Sequence, residues 1–247
     1  MQQERDTRVF LLDLALLAEI DKDIMAAVES LVELHLDWDA RERNFISIAF
    51  KSATATYGRS ARASLYLQEA REQDPKKLAL VKAFLGRIQA EVNSRFEFIL
   101  RLLEVHLVPF SEGSESKVFF TKMQADYLCM HAKENWSSAE GRASLQAAHR
   151  AYQAARRLAS ALPPTHALRL GLALNYSVFL YENMNYRAQA IEVSKEAFDE
   201  AMVQLDTLDE SSYKDATLIM QLLRDNRVLW FQEEIEEDKE EVEEERF

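Results

Sequence analysis

The chain has little of what tight turns, strands and phosphate-cradling loops are made from. Its 247 residues include five glycines and four prolines, which is well below average usage. Glycine supplies the left-handed backbone conformations of tight turns, and proline fixes the backbone of others. Their scarcity favours a chain of long helices over a β-rich fold or a glycine-rich nucleotide site.

The single cysteine, Cys129, excludes an internal disulfide. The first residues, MQQERDTRVFLLDLALLAEID, mix charges into their apolar stretch, unlike a signal peptide. No later stretch approaches the roughly 18 uncharged apolar residues of a membrane span. We therefore expect a soluble, cytoplasmic protein without a membrane partner.

The net charge of −12 is concentrated in residues 233–245, EEIEEDKEEVEEE, which hold nine Glu, one Asp and one Lys. This balance lacks the basic surface that nucleic acid needs. Long runs of one charge are typical of disordered tails. The predicted organisation is one helical domain over residues 1–232 and an acidic, disordered tail over residues 233–247. A second interpretation places the tail in a basic groove of the same chain.

Apolar residues recur at helical spacing along almost the whole chain, as in LQAAHRAYQAARRLASAL, residues 145–162. Ser137–Glu140 and Ser212–Asp215 resemble capping boxes, in which a hydroxyl and a carboxylate bind backbone N–H groups at a helix start. No fixed repeat period holds across the chain. The pattern predicts an all-α array of nine helices, at residues 5–19, 21–36, 41–71, 76–107, 114–135, 138–161, 166–183, 187–204 and 213–232.

Catalytic and metal-binding patterns are missing. No two of the five histidines have the i, i+4 spacing that turns both rings toward one metal ion. Cys129 and His131 are two positions apart, so on a helix they point in different directions. No phosphate-binding glycine loop and no nucleophile elbow occurs. We expect neither an enzyme, nor a metal site, nor a cofactor.

Two asparagines lie on otherwise apolar helix faces. Asn226 shares a face with Leu218 in YKDATLIMQLLRDNRVLW, residues 213–230, and Asn175 lies on the apolar face of RLGLALNYSVFLYE, residues 169–182. A buried amide costs stability unless it is hydrogen-bonded. These residues are either core asparagines with internal partners or amides that line a groove for an extended peptide backbone.

With these residues in view, the chain resembles the 14-3-3 protein family. The resemblance covers most of the chain in the family's order and spacing. It implies an all-helical, nine-helix, cup-shaped dimer whose concave grooves bind phosphoserine or phosphothreonine peptides. The matching stretches are RNFISIAFK (43–51), ESKVFFTKMQADY (115–127), PTHALRLGLALNYSVFLYE (164–182), AFDEAMVQLDTLDE (197–210) and SSYKDATLIMQLLRDNRVLW (211–230).

The resemblance also implies roles for single residues. It assigns contacts with the peptide backbone to Asn175 and Asn226, flanked by Glu182 and Trp230. The apolar wall of the groove would consist of Leu174, Val178, Leu218, Ile219 and Leu222.

The family's phosphate clamp, a lysine, two arginines and a tyrosine, is only partly present. The lysine matches Lys51, and a neighbouring basic residue matches Lys122. Gly58 and Cys129 stand at the two arginine positions, and Met130 stands at the tyrosine position. Each hydrogen bond to a charged group contributes about 1.5–3 kcal/mol, so losing both arginines costs roughly 3–6 kcal/mol, on the order of 10² to 10⁴ in affinity.

Other groups near the clamp alter this balance. Asp126 would repel a phosphate, although Lys122 lies one turn earlier on the same helix. Arg62 lies nearly in line with Lys51 on a helix, and Arg59 lies about 80° around the helix from it. Our hypothesis is that Arg59 substitutes for a missing clamp arginine.

The resemblance further implies a dimer, formed by the first helices of one protomer and the third and fourth of the other. Asp23 and Arg87 would keep one ion pair between protomers, while Ile20 replaces a basic residue whose partner would be Glu91. The residues that match apolar or small interface positions are Leu14, Ala18, Ser60, Leu67 and Phe84.

Three hypotheses for function follow. The first is a phosphopeptide-binding adaptor with a weakened or rearranged clamp. The second is a scaffold that binds unphosphorylated segments through the apolar wall and the two asparagines. The third is a different helical array, such as a tetratricopeptide-like protein. The first two predict homo- or heterodimers with protein partners.

Overall fold

The computed structural model describes residues 2–34, 37–55 and 59–244, and those residues contain ten α-helices and no strand. The predicted all-α class is therefore confirmed. The helices are α1 (Gln2–Ala18), α2 (Asp21–Val32), α3 (Ala40–Ala55), α4 (Arg59–Arg71), α5 (Pro75–Leu102), α6 (Ser114–Glu134), α7 (Ala139–Ala159), α8 (Ala167–Glu182), α9 (Arg187–Gln204) and α10 (Glu210–Glu244).

The helix count differs from the predicted nine in one region. The range predicted as one helix, 41–71, is described as α3 and α4, and residues 56–58 between them lie outside the described part. The last helix also continues past the predicted end at residue 232, because glutamate is a good helix former. The division into a domain over residues 1–232 and a disordered tail stays a prediction.

Helix starts follow side-chain capping, although two caps lie beside their predicted positions. Ser138, rather than Ser137, caps α7, since its hydroxyl accepts a hydrogen bond from the Gly141 N–H at 2.9 Å. Asp209, rather than Ser212, caps α10 and accepts bonds from the N–H groups of residues 211 and 212 at 2.9 and 3.0 Å. In both cases the capping residue directly precedes the first helical residue.

Two compact units, residues 1–148 and residues 149–247, each have their own core. In the first unit, α1, α2, α3, α5 and α6 contribute fully buried side chains. In the second unit, α8, α9 and α10 pack together, and the Ser194 hydroxyl donates to the Leu223 carbonyl at 2.9 Å. Representative core residues are Leu12, Ile24, Phe50, Ile99 and Phe120 in the first unit, and Leu170, Ala201, Ala216 and Met220 in the second.

The connection between α6 and α7 requires a glycine. A Cβ atom on Gly141 would lie 2.1 Å from the carbonyl oxygen of Asn135, far inside van der Waals contact. The Asn135 side chain donates in turn to the His131 carbonyl and to Asn93 Oδ1, both at 3.0 Å. These contacts hold the end of α6, which carries the predicted clamp positions Cys129 and Met130, against α5 and the start of α7.

None of the helices in the described residues has the combined length and apolar character that a membrane-spanning segment needs.

Candidate functional site

The α6 part of the predicted phosphate clamp contains a lysine that is already paired. Lys122 Nζ lies 2.7 Å from Asp126 Oδ2, and the two side chains are 18% and 25% exposed. Residues four apart on a helix lie on the same face, which explains the contact. The ammonium group of Lys122 is therefore largely neutralised by its own helix.

Two further predicted clamp positions on α6 carry no group that binds phosphate strongly. Cys129 is buried, with 8% of its surface exposed, and Met130 next to it is exposed. A thiol is a weak hydrogen-bond donor, and a thioether is no donor at all. Gly58, at the third altered position, lies outside the described residues.

Tyr127 fixes the rotation of α6 at this point. Its ring packs against Phe50 and Phe96, with ring centroids 5.8 and 6.2 Å apart, and burial raises the pKa of its phenol. Because Tyr127 points into the core, neighbouring positions on the helix are turned elsewhere. The clamp positions on α6 are thus set by the packing of an aromatic residue between them.

The remaining cations near the predicted clamp differ in availability. Lys51 on α3 is exposed and has no ion-pair partner among the described residues. Arg62 on α4 makes a two-pronged pair with Glu134 and also donates to Gln89 Oε1 at 3.2 Å. The bond to Glu134 raises the pKa of Arg62. Arg62 is thus held within its own unit, and the side chain of Arg59 lies outside the described part.

The residues of the predicted apolar wall lie on two helices of the second unit, and only some of them are exposed. On α10, Leu218 is 64% exposed and Leu222 is also exposed, whereas Ile219 packs partly against the core. On α8, Leu174 and Val178 are half-buried. Exposed leucines at neighbouring positions of one helix face give a surface that an apolar side chain can cover.

The two asparagines are half-buried, which allows them to reach both protein and ligand. Asn175 lies on α8 beside this surface, and Asn226 lies on α10. Glu182, at the end of α8, is exposed. An amide offers one acceptor and two donor hydrogens, which matches the alternating groups of a peptide backbone.

Trp230, which is predicted to flank the two asparagines, is buried, with only 4% of its surface exposed. Its ring stacks on Tyr181 of α8 with the centroids 4.6 Å apart and the planes 13° apart. The Tyr181 hydroxyl donates to Glu233 Oε2 at 2.7 Å. Sequence reasoning missed Tyr181 and Glu233, because no spacing along the chain indicates a pairing between two separate helices.

The residues predicted for a dimer interface are exposed on the first unit. Leu14, Leu67 and Phe84 are large apolar side chains open to solvent, and the guanidinium of Arg87 lies 5.3 Å from the centre of the Phe84 ring. A cleft of about 480 Å³ lies between α1 and α2. The remaining predicted interface residues, Ala18, Asp23 and Ser60, are exposed as well.

No three His, Cys, Asp or Glu side chains converge on a possible metal ion in the part of the chain that the structure describes. Hydrogen-bonding amides, apolar side chains and lysines can bind a peptide. These groups do not form a nucleophile with an adjacent base.

Comparison with known proteins gives one consistent result. The family model described as 14-3-3 protein matches residues 11–231. The 14-3-3-like protein GF14-E of Oryza sativa subsp. japonica is 40% identical over 245 residues, covering 97% of this chain and 93% of the relative. The 14-3-3 protein epsilon of Drosophila melanogaster is 39% identical over 230 residues, covering 92% and 87%. Protein BMH2 of Saccharomyces cerevisiae is 38% identical over 234 residues, covering 93% and 85%.

Proposed function

Because this chain belongs to the 14-3-3 family of non-enzymatic adaptor proteins, we propose that it binds phosphoserine or phosphothreonine segments of partner proteins with weakened phosphate recognition. In this proposal Lys51 and Lys122 contact the phosphate, and Asn175 and Asn226 contact the peptide backbone. The apolar wall on α8 and α10 covers the side chains next to the phosphorylated residue.

The observation that carries the proposal is that two cations near the predicted clamp are already paired with carboxylates. Lys122 is paired with Asp126, and Arg62 is paired with Glu134. A phosphate must compete with these carboxylates for each cation, so part of the binding energy is offset by breaking an existing ion pair. We infer that Lys51 supplies the main phosphate contact and that binding is weaker than with a complete clamp.

The test is a titration of a labelled phosphoserine peptide and of its unphosphorylated counterpart, each at low and at moderate salt. We expect the phosphorylated peptide to bind more tightly than the unphosphorylated one. Its affinity should fall as the salt concentration rises, because salt screens exposed ion pairs. Lys51→Met should remove most of this difference, and Lys76→Met, which changes an exposed lysine at the start of α5, should leave it unchanged. Equal binding of the two peptides would refute the proposal.

A second candidate function is a scaffold that binds partners without phosphorylation. It is favoured by the exposed Leu218 and Leu222, which need no charged ligand, and by the thiol and thioether at two clamp positions. Its signature is equal affinity for both peptides and little dependence on salt. Leu222→Asp should then abolish binding, whereas Lys51→Met should leave it unchanged.

Members of this family form dimers, and we propose that α1, α2, α4 and α5 provide the interface here. The carrying observation is the exposure of Leu14, Leu67 and Phe84 on these helices. Light scattering at micromolar concentration should give the mass of a dimer, and Phe84→Asp should shift it toward the monomer. A monomeric wild-type protein would contradict this assignment.

We also propose that residues 1–232 form the binding domain, that residues 233–247 are a separable acidic tail, and that the protein acts in the cytoplasm. Removing the tail should leave affinity for the unphosphorylated peptide unchanged. If the tail occupies a basic groove in the same chain, its removal should instead strengthen binding of the phosphorylated peptide.

A further inference from the structure

A cleft in the second unit is lined by none of the residues assigned to peptide binding. It has a volume of about 710 Å³ and is lined by residues of α7, α8, α9 and the segment between α7 and α8. Its charged side chains are three arginines and three glutamates, so the cleft as a whole is neutral. They are Arg156, Arg157, Arg169, Glu192, Glu196 and Glu200.

Two of the three arginines are paired across the cleft. Arg156 on α7 pairs with Glu196 on α9, and Arg169 Nη2 on α8 lies 2.6 Å from Glu200 Oε2. Arg169 also donates to the Leu162 carbonyl at 2.8 Å. Arg157 is exposed and has no ion-pair partner within residues 149–244, the part of this unit that the structure describes.

Ser160 lines the same cleft, one residue after the end of α7. It is exposed, and its hydroxyl donates to the Arg157 carbonyl at 2.8 Å. The surrounding sequence is RRLAS, and Ser160 is the only serine or threonine of the chain with an arginine three residues before it. Residues three and four apart at a helix end lie on one face, so Arg157 and Arg156 are both neighbours of Ser160.

We propose that Ser160 is a phosphorylation site for an arginine-directed protein kinase and that the phosphate is bound by Arg157 and Arg156 of the same cleft. The Ser160 oxygen forms a bond to the γ-phosphorus of ATP as the bond to the ADP oxygen breaks. The hydroxyl proton leaves to the base of the kinase. The last turn of α7 must open to fit the kinase, which its position at a helix end allows.

The charged side chains around Ser160 can stabilise a phosphate group on its oxygen. A phosphate brings a charge of about −1.5 to −2 and three acceptor oxygens. At the C-terminal end of a helix it meets the negative end of the helix dipole, which is unfavourable. Arg157 has no acidic partner among the described residues, and the phosphate displaces Glu196 from Arg156. Both arginines then offset the unfavourable dipole through charge-assisted hydrogen bonds to the phosphate. Phosphorylation therefore replaces a link between α7 and α9 by one within α7.

The first experiment incubates the full chain with ATP and a purified kinase that requires arginine before its target serine. Peptide mass spectrometry should place phosphate on Ser160 and find none there in Ser160→Ala. Arg157→Ala should lower kcat/KM for this site by about tenfold or more, the value of one charge-assisted contact with the kinase. Arg150→Ala, which removes an exposed arginine from the same helix, should leave it unchanged. No phosphate on Ser160, or an equal rate for Arg157→Ala, would overturn the assignment of the site.

A second measurement tests whether the cleft binds the phosphate. Phosphorus NMR should give a lower pKa for phosphoserine 160 in the folded protein than in the same protein unfolded in urea, because nearby arginines favour the dianion. Glu196→Gln should lower this pKa further, since Arg156 then has no competing carboxylate. An identical pKa in the folded and unfolded protein would show that the arginines do not bind the phosphate.

Discussion

Restoring one arginine to the clamp tests the proposed cause of weak phosphate recognition. Cys129 lies seven residues after Lys122 on α6, so the two side chains lie on one face, about 10 Å apart along the axis. Helix side chains lean toward the N-terminus. In Cys129→Arg the new guanidinium should therefore approach Asp126 and Lys122 and add positive charge beside them.

The magnitude follows from the contacts already present. A hydrogen bond to a charged group contributes about 1.5–3 kcal/mol, or roughly tenfold to hundredfold in affinity. Asp126 competes for the new arginine, as it now does for Lys122 at 2.7 Å. We therefore expect about a tenfold gain for the phosphoserine peptide, at the lower end of that range, and no gain for its unphosphorylated counterpart. Adding Asp126→Asn should move the gain toward the upper end.

Fluorescence anisotropy with the two labelled peptides measures both affinities. Cys129→Gln is the matched control, because glutamine adds length and polarity at position 129 without charge. Since Cys129 is buried, circular dichroism melting must first show that each variant is folded. The reasoning fails if folded Cys129→Arg binds the phosphoserine peptide no more tightly than the wild-type protein does. It also fails if the affinity for both peptides rises equally, or if Cys129→Gln raises the affinity by the same factor.

Three further predictions follow from the structure. Asn226→Ala should lower the affinity for both peptides equally, by about fivefold to tenfold, because one amide contact with the peptide backbone is lost. Fluorescence anisotropy measures these affinities, and Gln221→Ala, on another face of α10, should leave them unchanged. Gly141→Ala should lower the free energy of unfolding by about 1–3 kcal/mol in urea titrations, since its Cβ would overlap the Asn135 carbonyl; an unchanged midpoint would contradict the close approach. Burial, aided by the charge of Arg150, lowers the pKa of His149, so the unfolded chain takes up this proton first as pH falls. The stability that neutral His149 contributes should be complete above its ordinary pKa of about 6.5 and lost as the pH falls through the lowered value. The urea midpoint of the wild-type protein should therefore fall more steeply with decreasing pH than that of His149→Gln. Parallel curves for the two proteins would refute this.

The family and the helical class could be predicted from the sequence because both depend on local order. The spacing of apolar residues in segments such as 145–162 records which helix face is buried, whatever it packs against. The resemblance, read from stretches such as 164–182 and 211–230, is confirmed by the family model over residues 11–231. The site residues within those stretches, including Asn175 and Asn226, stay predictions until binding is measured.

The predictions that needed correction concern helix ends. The caps of α7 and α10 are Ser138 and Asp209, rather than Ser137 and Ser212. Several serines and acidic residues near each helix start could serve as the cap. The stabilisation that each would give as a cap differs by less than about 1 kcal/mol, which is the scatter of such values between proteins. The packing of the whole helix decides among them.

The all-helical class and the membership of the 14-3-3 family could be predicted from local sequence order, and the spacing of Lys122 and Asp126 predicted that they share one helix face. Which charged side chains are available to a ligand depends on the packing of separate helices. Arg62 is held by Glu134, Tyr181 stacks on Trp230, and Arg156 pairs with Glu196, whereas Arg157 has no such acidic partner among the described residues. Such pairs join side chains from different helices, and their formation depends on the register in which the helices pack, which no local spacing records.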